Sequence, residues 1–239
     1  MRSTLSSKDR LIVALDFTGA AAALGMAKRL RGLVRTVKVG SALFTACGPS
    51  VIQRLRLLGF SVMLDLKFLD IPSTVELSCR AAVHHRVSLL TVHAAGGRTM
   101  LAAAVHGASA EAARLGIKRP QLLAVTILTS VGQARASKMR VHVRVLAQTA
   151  LRAVCDGVVA SAQEAGVLRN AFGTRLRIVC PGIRPLGVRS ADQRRVVSPR
   201  EALILGADLL VIGRPITAAP YPRAAVQRIL SEMEGADRC

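Results

Sequence analysis

Short runs of apolar residues alternate with longer segments rich in Ala and Leu along nearly the whole sequence of 239 residues. The short runs have the length and composition of buried strands, and the longer segments are typical of helices. Strands are predicted at Leu11–Leu15, Thr36–Val39, Ser61–Leu66, Ser88–Val92, Leu122–Ile127, Gly157–Ala160, Arg177–Val179 and Leu209–Ile212. Eight strand-helix units predict an α/β fold, a TIM (β/α)8 barrel that forms a single domain over residues 1–239. Residues 1–9 are expected to form a flexible N-terminal extension.

A doubly wound open sheet would also explain the alternation of strands and helices. It is disfavoured because no Gly-x-Gly-x-x-Gly motif follows the first predicted strand. In a barrel, the active site lies where the strands end. The residues with reactive or polar groups at or just beyond such ends are Asp16, Lys38, Asp65, Lys67, His93, Thr129, Gly213 and Arg214.

The segment from Asp65 to Thr74 places two carboxylates, Asp65 and Asp70, around the ammonium group of Lys67, directly after an apolar strand. The two-residue period of a strand predicts that Asp65 and Lys67 share one face, and Pro72 is expected to end the regular structure. These residues, taken alone, are also compatible with an ion-pair cluster on the surface at the end of a strand. Charges at the end of a buried strand are costly unless they are paired or used, which favours a functional site.

This segment reads D-x-K-x-x-D-I-P-x-T, which resembles the signature of the orotidine 5'-monophosphate decarboxylase family. The resemblance covers nearly the whole chain, since further family-like pieces occur in the same order. These pieces are Ala14–Asp16, Lys38–Gly40, Val92–Ala94, Val125–Ser130, Pro181–Pro185, Asp192–Arg195 and Ile212–Pro215.

The resemblance implies decarboxylation of orotidine 5'-monophosphate to UMP in pyrimidine biosynthesis, by a cytoplasmic homodimer that uses no cofactor and no metal. Lys67 would be the general acid that protonates C6, Asp65 would lie near the substrate carboxylate, and Lys38 would complete an alternating array of charges. In the family, Asp70 and Thr74 reach across the dimer interface into the neighbouring subunit's site. A fixed positive charge beside C6 is needed because no cofactor absorbs the electrons left when carbon dioxide departs.

The remaining substrate contacts are also implied by the resemblance. Asp16 would accept hydrogen bonds from the ribose hydroxyls, although capping of the next helix explains it equally well from the sequence alone. Thr129 would lie near the pyrimidine. Gly213 and Arg214 together offer a backbone N–H and a guanidinium, which suit a phosphate dianion. The family adds two further substrate contacts, Arg184 and Gln193. The sequence departs from related bacterial sequences at Leu69, Ser73 and Cys180.

The net charge of +20 requires a second class of function to be considered, a noncatalytic basic RNA-binding protein. Aromatic residues make up only 3% of the chain and Trp is absent, so the sequence offers few stacking platforms for bases. The charge still predicts nonspecific attraction of anions or nucleic acids. No signal peptide or membrane span is predicted. Five scattered cysteines suit reduced thiols.

A rival enzyme class is a magnesium-dependent phosphosugar decarboxylase or aldolase of the same barrel suprafamily, in which D-x-K-x-x-D also occurs. The I-P-x-T continuation, Thr129 and Gln193 favour the nucleotide substrate. The five histidines show no metal-ligand spacing, so a site without metal is the expectation.

Overall fold

The computed structural model describes residues 5–128, 136–186 and 197–235, with the backbone alone at residues 136–138. Eight parallel strands close into a barrel in chain order, with the last strand paired to the first. The strands are β1 Leu11–Ala14, β2 Thr36–Gly40, β3 Ser61–Phe68, β4 Leu89–His93, β5 Gln121–Val125, β6 Gly157–Val159, β7 Arg177–Pro181 and β8 Leu209–Ile212. The predicted TIM barrel is confirmed.

Helices connect the strands on the outside of the barrel. They are α1 Ser7–Arg10, α2 Ala20–Leu30, α3 Ser41–Cys47, α4 Ser50–Leu57, α5 Pro72–His84, α6 Gly97–Arg114, α7 Ala136–Arg152, α8 Ala162–Phe172, α9 Pro199–Ile204, α10 Arg214–Thr217 and α11 Pro222–Glu234, with a short 3-10 turn at Ala94–Gly96. Within the described residues, none of these helices has the length and hydropathy needed to cross a lipid bilayer.

The strand positions agree with the prediction, but the ends of several strands differ by one or two residues. The ends of β3, β5 and β7 each differ by two residues, and β3 continues to Phe68 through a shift of its register with β4 between Leu64 and Phe68. Within this irregularity Lys67 has a left-handed backbone conformation, with φ of 51°. The bulge therefore re-aims the side chains that follow Asp65, and the simple two-residue period does not hold there.

Alternate strand residues pack into two separate layers of the core. In β1, Ile12 and Ala14 face the barrel interior, while Leu11 and Val13 face the surrounding helices. The interior layer is small and made of aliphatic residues. It consists of Ile12, Ala14, Met63, Leu89, Leu123, Val125, Val159, Val179, Leu209 and Val211. The interior is therefore filled with side chains and gives the active-site end a solid floor.

The beginning of the described chain packs against the barrel. Leu5 contacts the interior layer, Ser7 is buried, and α1 begins at that residue. The start of this segment therefore packs against the barrel at Leu5 and Ser7, whereas the sequence predicted a flexible extension over residues 1–9. An apolar Leu5 gains by covering the open amino-terminal end of the barrel. Residues 1–4 lie outside the described part of the chain.

Candidate active site

A cavity of about 300 Å³ opens at the carboxyl end of the strands. Its floor is formed by Ala14, Met63, Val125, Val159 and Val211, which also belong to the interior layer of the barrel. Its charged and phosphate-binding candidates come from the residues predicted by sequence. These are Asp16, Lys38, Asp65, Lys67, Arg184, Gly213 and Arg214. The structure therefore brings seven of the predicted residues to one cavity.

Four of these side chains form a continuous row of alternating charge. The Lys38 Nζ lies 2.9 Å from Asp16 Oδ1 and 3.4 Å from Asp65 Oδ2. The Lys67 Nζ lies 2.9 Å from the same Asp65 oxygen. Each positive group therefore has a carboxylate neighbour, which makes the burial of Lys38 and Asp65 tolerable.

The order of the first three strands explains how the row forms. Asp16 follows β1, Lys38 belongs to β2 and Asp65 to β3, and these strands are paired side by side. Gly40 leaves the space that the Lys38 ammonium occupies, because a Cβ there would lie 3.0 Å from Nζ. A larger residue at this position would press against the Lys38 to Asp16 ion pair.

Thr91, which the sequence analysis did not single out, holds the bulge in place. Its hydroxyl accepts a hydrogen bond from the Lys67 backbone N–H and donates one to Asp65 Oδ1, both at 3.0 Å. Thr91 is fully buried in β4. The single available signal in the sequence is a hydroxyl inside an otherwise apolar run, two residues before His93.

The surroundings keep Asp65 ionised. Burial would raise the pKa of its carboxyl, but the charges of Lys38 and Lys67, with hydrogen bonds from Lys67 and Thr91, hold that pKa below its usual value. The pKa of His93 is also lowered, but for an imidazole a lower pKa favours the uncharged form. Burial and then the charge of Lys67 lower the pKa of His93, which favours the neutral imidazole near neutral pH.

Two arginines mark another part of the same cavity. Arg184 follows β7, and Arg214 begins α10 directly after Gly213. A Cβ placed on Gly213 would lie 3.6 Å from Asp16 Oδ2, so the β8 end approaches the charge row at Asp16. A polyanionic group and a neighbouring hydroxyl-bearing group could bind side by side here.

Two further predicted site residues, Asp70 and Thr74, are described by the structure but do not line this cavity. Asp70 and Thr74 are exposed on the chain, and Asp70 Oδ1 accepts a 2.7 Å hydrogen bond from the Ile71 backbone N–H. Thr129 and Gln193 lie outside the described residues. The three departures from related sequences, Leu69, Ser73 and Cys180, are also absent from the described lining.

The carboxylates of the site already have cationic partners, since Asp16 and Asp65 both contact a lysine ammonium. Among residues 5–128, 136–186 and 197–235, no group of three or more His, Cys, Asp or Glu side chains is arranged to hold a metal ion.

Comparison with known families agrees with this geometry. The model of the "Orotidine 5'-phosphate decarboxylase / HUMPS family" matches residues 9–229. The chain belongs to this family. All eight strands and ten of the eleven helices of the structure lie wholly or mainly inside the matched range.

Individual relatives of the orotidine 5'-phosphate decarboxylase / HUMPS family match over almost their full length. The chain is 45% identical to orotidine 5'-phosphate decarboxylase of Nitrosococcus oceani, over 95% of this chain and 98% of that protein. It is also 45% identical to the enzyme of the same name from Moorella thermoacetica, over 96% and 94% of the two chains. The crystal structure of orotidine 5'-phosphate decarboxylase from Lactobacillus acidophilus superposes with a TM-score of 0.82 at 34% identity, covering 94% of this chain and 99% of that one.

Proposed function

We propose that this chain decarboxylates orotidine 5'-monophosphate to UMP in pyrimidine biosynthesis, without a cofactor. The observation that carries the proposal is the row Asp16, Lys38, Asp65 and Lys67 in one cavity with Arg184 and Arg214. Such a row supplies a fixed cation for a developing carbanion, and the arginines supply the charge for a phosphate. The curated relatives that carry the decarboxylase name support this choice of reaction.

Lys67 is the better candidate for the general acid that protonates C6. Its side chain is 35% exposed and contacts Asp65, whereas Lys38 is 11% exposed and held between two carboxylates. A proton donor must reach the substrate, and the more accessible ammonium can do so. Lys38 would then fix the position of Asp65. Its positive charge would also balance the two carboxylates beside it, so that the row can remain buried.

Asp65 would act on the substrate carboxylate. Its lowered pKa keeps it ionised, so a substrate carboxylate placed beside it would be repelled. Two such charges about 4 Å apart repel by roughly 4 kcal/mol at an effective dielectric of about 20. Departure of carbon dioxide removes this repulsion, while Lys67 stabilises the carbanion and then transfers its proton to C6.

The rest of the substrate would be held around this row. In the proposed arrangement Asp16 accepts hydrogen bonds from the ribose, while Arg184, Gly213 and Arg214 bind the phosphate. The short separation between Gly213 and Asp16 supports adjacent ribose and phosphate sites. In the same arrangement Thr129 contacts the pyrimidine and Gln193 contacts the phosphate.

The proposed enzyme is a cytoplasmic homodimer in which Asp70 and Thr74 serve the neighbouring subunit's site. Their exposure on the single chain supports this, since neither lines the cavity of its own chain. Three large apolar side chains near them are also exposed: Leu69 at 55%, Ile71 at 64% and Leu77 at 66%. Such a group at the surface favours contact with another protein chain.

The rival function is that of a magnesium-dependent phosphosugar enzyme. It is disfavoured because a divalent cation would have to displace an ammonium group from Asp16 or Asp65. Orotidylate turnover followed by ultraviolet absorbance, with and without a chelator, separates the two. Turnover that survives the chelator and yields UMP supports the proposal, and turnover of phosphosugars alone overturns it.

Lys67→Ala should leave the fold intact and reduce kcat/KM for orotidylate by about 1000-fold or more, because the ammonium acts mainly in the transition state. Steady-state kinetics and thermal melting measure the two effects. Lys28→Ala, at an exposed position on α2, is the matched control and should keep the activity of the parent. Activity of Lys67→Ala within tenfold of the parent would be incompatible with the proposed mechanism.

A further inference from the structure

A second cavity, of about 530 Å³, lies at the opposite end of the barrel. Its walls include the first residues of six strands. These are Thr36, Ser61, Leu89, Gln121, Arg177 and Leu209. The cavity is therefore separated from the candidate active site by the packed interior layer of the barrel.

This cavity is strongly basic. Six of its lining residues are cationic, and Asp9 is its one carboxylate among the described lining residues. The cationic residues are Arg35, Arg56, Arg86, Lys118, Arg119 and Arg177. Clustering like charges in a hollow creates a positive potential that favours binding of an anion.

Half of these cations have no partner among the residues that the structure describes. Arg35 pairs with Asp9, Arg119 pairs with Asp156, and Arg177 donates to the Gln121 side chain. Arg56, Arg86 and Lys118 form no side-chain hydrogen bond or ion pair with any other described residue. They come from three different segments, α4 and the turns before β4 and β5, and meet at one hollow.

Arg86 is also held in an unfavourable backbone conformation. Seven turns that lead from a helix into β2–β8 each contain a residue with positive φ, and in five of them it is a glycine. The glycines are Gly32, Gly59, Gly116, Gly173 and Gly206. Arg86, with φ of 52°, and Val154, with φ of 61°, are the exceptions. Glycine would relieve the strain at either position, so Arg86 retains a charged side chain at a conformational cost.

We infer that this cavity is a binding site for a small free polyphosphate anion. Several negative charges on one compact ligand match three cations that come from separate segments and have no described partner. The hydroxyls of Ser61 and Ser88 are further hydrogen-bond donors in the lining. A nucleic acid fits less well, because the described lining residues include no aromatic side chain to stack on a base. The inference does not depend on the reaction proposed for the other end.

The test is calorimetric titration of the full chain with inorganic tripolyphosphate at a fixed ionic strength. Saturable binding of one equivalent per chain is expected, and Arg56→Ala, Arg86→Gly and Lys118→Ala should each weaken it about tenfold by removing a charged contact. Arg86→Gly should also raise the melting temperature of the free protein, which separates loss of binding from loss of fold.

Two matched controls make the result specific. Arg54→Ala removes an exposed arginine two residues from Arg56 on the same helix but outside the cavity, and should leave binding unchanged. Val154→Gly makes the backbone change of Arg86→Gly at another turn, and should stabilise the protein without affecting binding. Equal weakening by Arg54→Ala and Arg56→Ala would overturn the inference, because binding would then reflect net charge alone.

Two further outcomes also overturn it. Loss of tripolyphosphate binding in Arg214→Ala, with Arg86→Gly unaffected, would place the ligand at the other end of the barrel. Binding of a single-stranded RNA that depends on Arg56 and Arg86, with no detectable tripolyphosphate binding, would assign the cavity to nucleic acid.

Discussion

At the scale of single residues, the backbone at Lys67 determines how the site is built. A left-handed φ is unfavourable for lysine, and here it is stabilised by the hydrogen bond from the Lys67 N–H to Thr91. The same hydroxyl donates to Asp65, so one buried side chain connects the backbone of the proposed acid to its carboxylate neighbour. We therefore regard Thr91 as a positioning residue.

Thr91→Val keeps the shape of the side chain but removes both hydrogen bonds. We expect kcat for orotidylate to fall by about tenfold to a hundredfold, with a smaller effect on KM, because Lys67 loses its fixed position. The loss of one donor should also raise the pKa of Asp65 from its lowered value. The acid limb of the pH profile of kcat/KM should then move to higher pH.

Thr91→Ser is the control, because it retains the hydroxyl and should keep both the rate and the pH profile close to those of the parent. If Thr91→Val lowers thermal stability but leaves the pH profile unchanged, Thr91 has a structural role alone.

The sequence was sufficient to single out Asp65 and Lys67 as candidate site residues, since their spacing after an apolar strand and the family signature agree, and the structure brings them together in one cavity. It was not sufficient for Thr91. Threonine is a common strand residue, and nothing in a linear pattern shows that its hydroxyl meets a bulge in the neighbouring strand. The contact of Lys38 with Asp16 was likewise visible only when β1 and β2 were placed side by side.

At the scale of secondary-structure elements, the close packing of α5 against α6 fixes the helix in which the signature segment ends. Gly107 on α6 makes this possible, because a Cβ there would lie 2.6 Å from the Glu76 backbone oxygen on α5. Any side chain at position 107 would force the two helices apart. Since α5 begins two residues after Asp70, such a shift would be transmitted towards the signature segment.

Gly107→Ala should therefore lower the free energy of unfolding by about 1–3 kcal/mol, the usual cost of overpacking. Gly25→Ala is the matched control, because Gly25 also lies inside a helix but a Cβ added there would meet no atom within 4 Å. It should raise the free energy of unfolding by about 0.4–1 kcal/mol, because alanine reduces the conformational entropy of the unfolded chain. Urea denaturation of both variants measures the difference, and equal effects of the same sign would contradict this account.

The barrel could be predicted at this scale because each strand is an apolar run bounded by turn residues. Strand ends could not, since the end of β3 depends on its register with β4 rather than on its own composition. The packing of residues 5–9 was also missed. Leu5 is one apolar residue among polar ones, and it packs against the core because the open end of the barrel lies beside it.

At the scale of the whole molecule, the structure shows where part of the net charge of +20 lies. Six cationic side chains lie around the amino-terminal end of the barrel, and the candidate active site occupies the carboxyl end. The sequence alone shows arginines spread along the chain, because the residues that meet in this cavity come from distant segments.

The proposed dimer makes a prediction that concerns two chains together. Asp70→Ala and Lys67→Ala should each be nearly inactive, because each removes a charged group from every site of its own homodimer. In a mixed dimer, one site receives both defects and the other receives neither if Asp70 acts in the neighbouring subunit. Mixing the two inactive variants should then restore about half of the parental activity per mixed dimer.

Native mass spectrometry shows whether mixed dimers form, and the orotidylate assay on the same samples shows whether activity returns. Each variant mixed with itself controls for concentration and handling. The exposure of Asp70 and its absence from the cavity of its own chain favour recovery. Mixed dimers that form but stay inactive would place Asp70 in the site of its own subunit, because every site would then carry one defect.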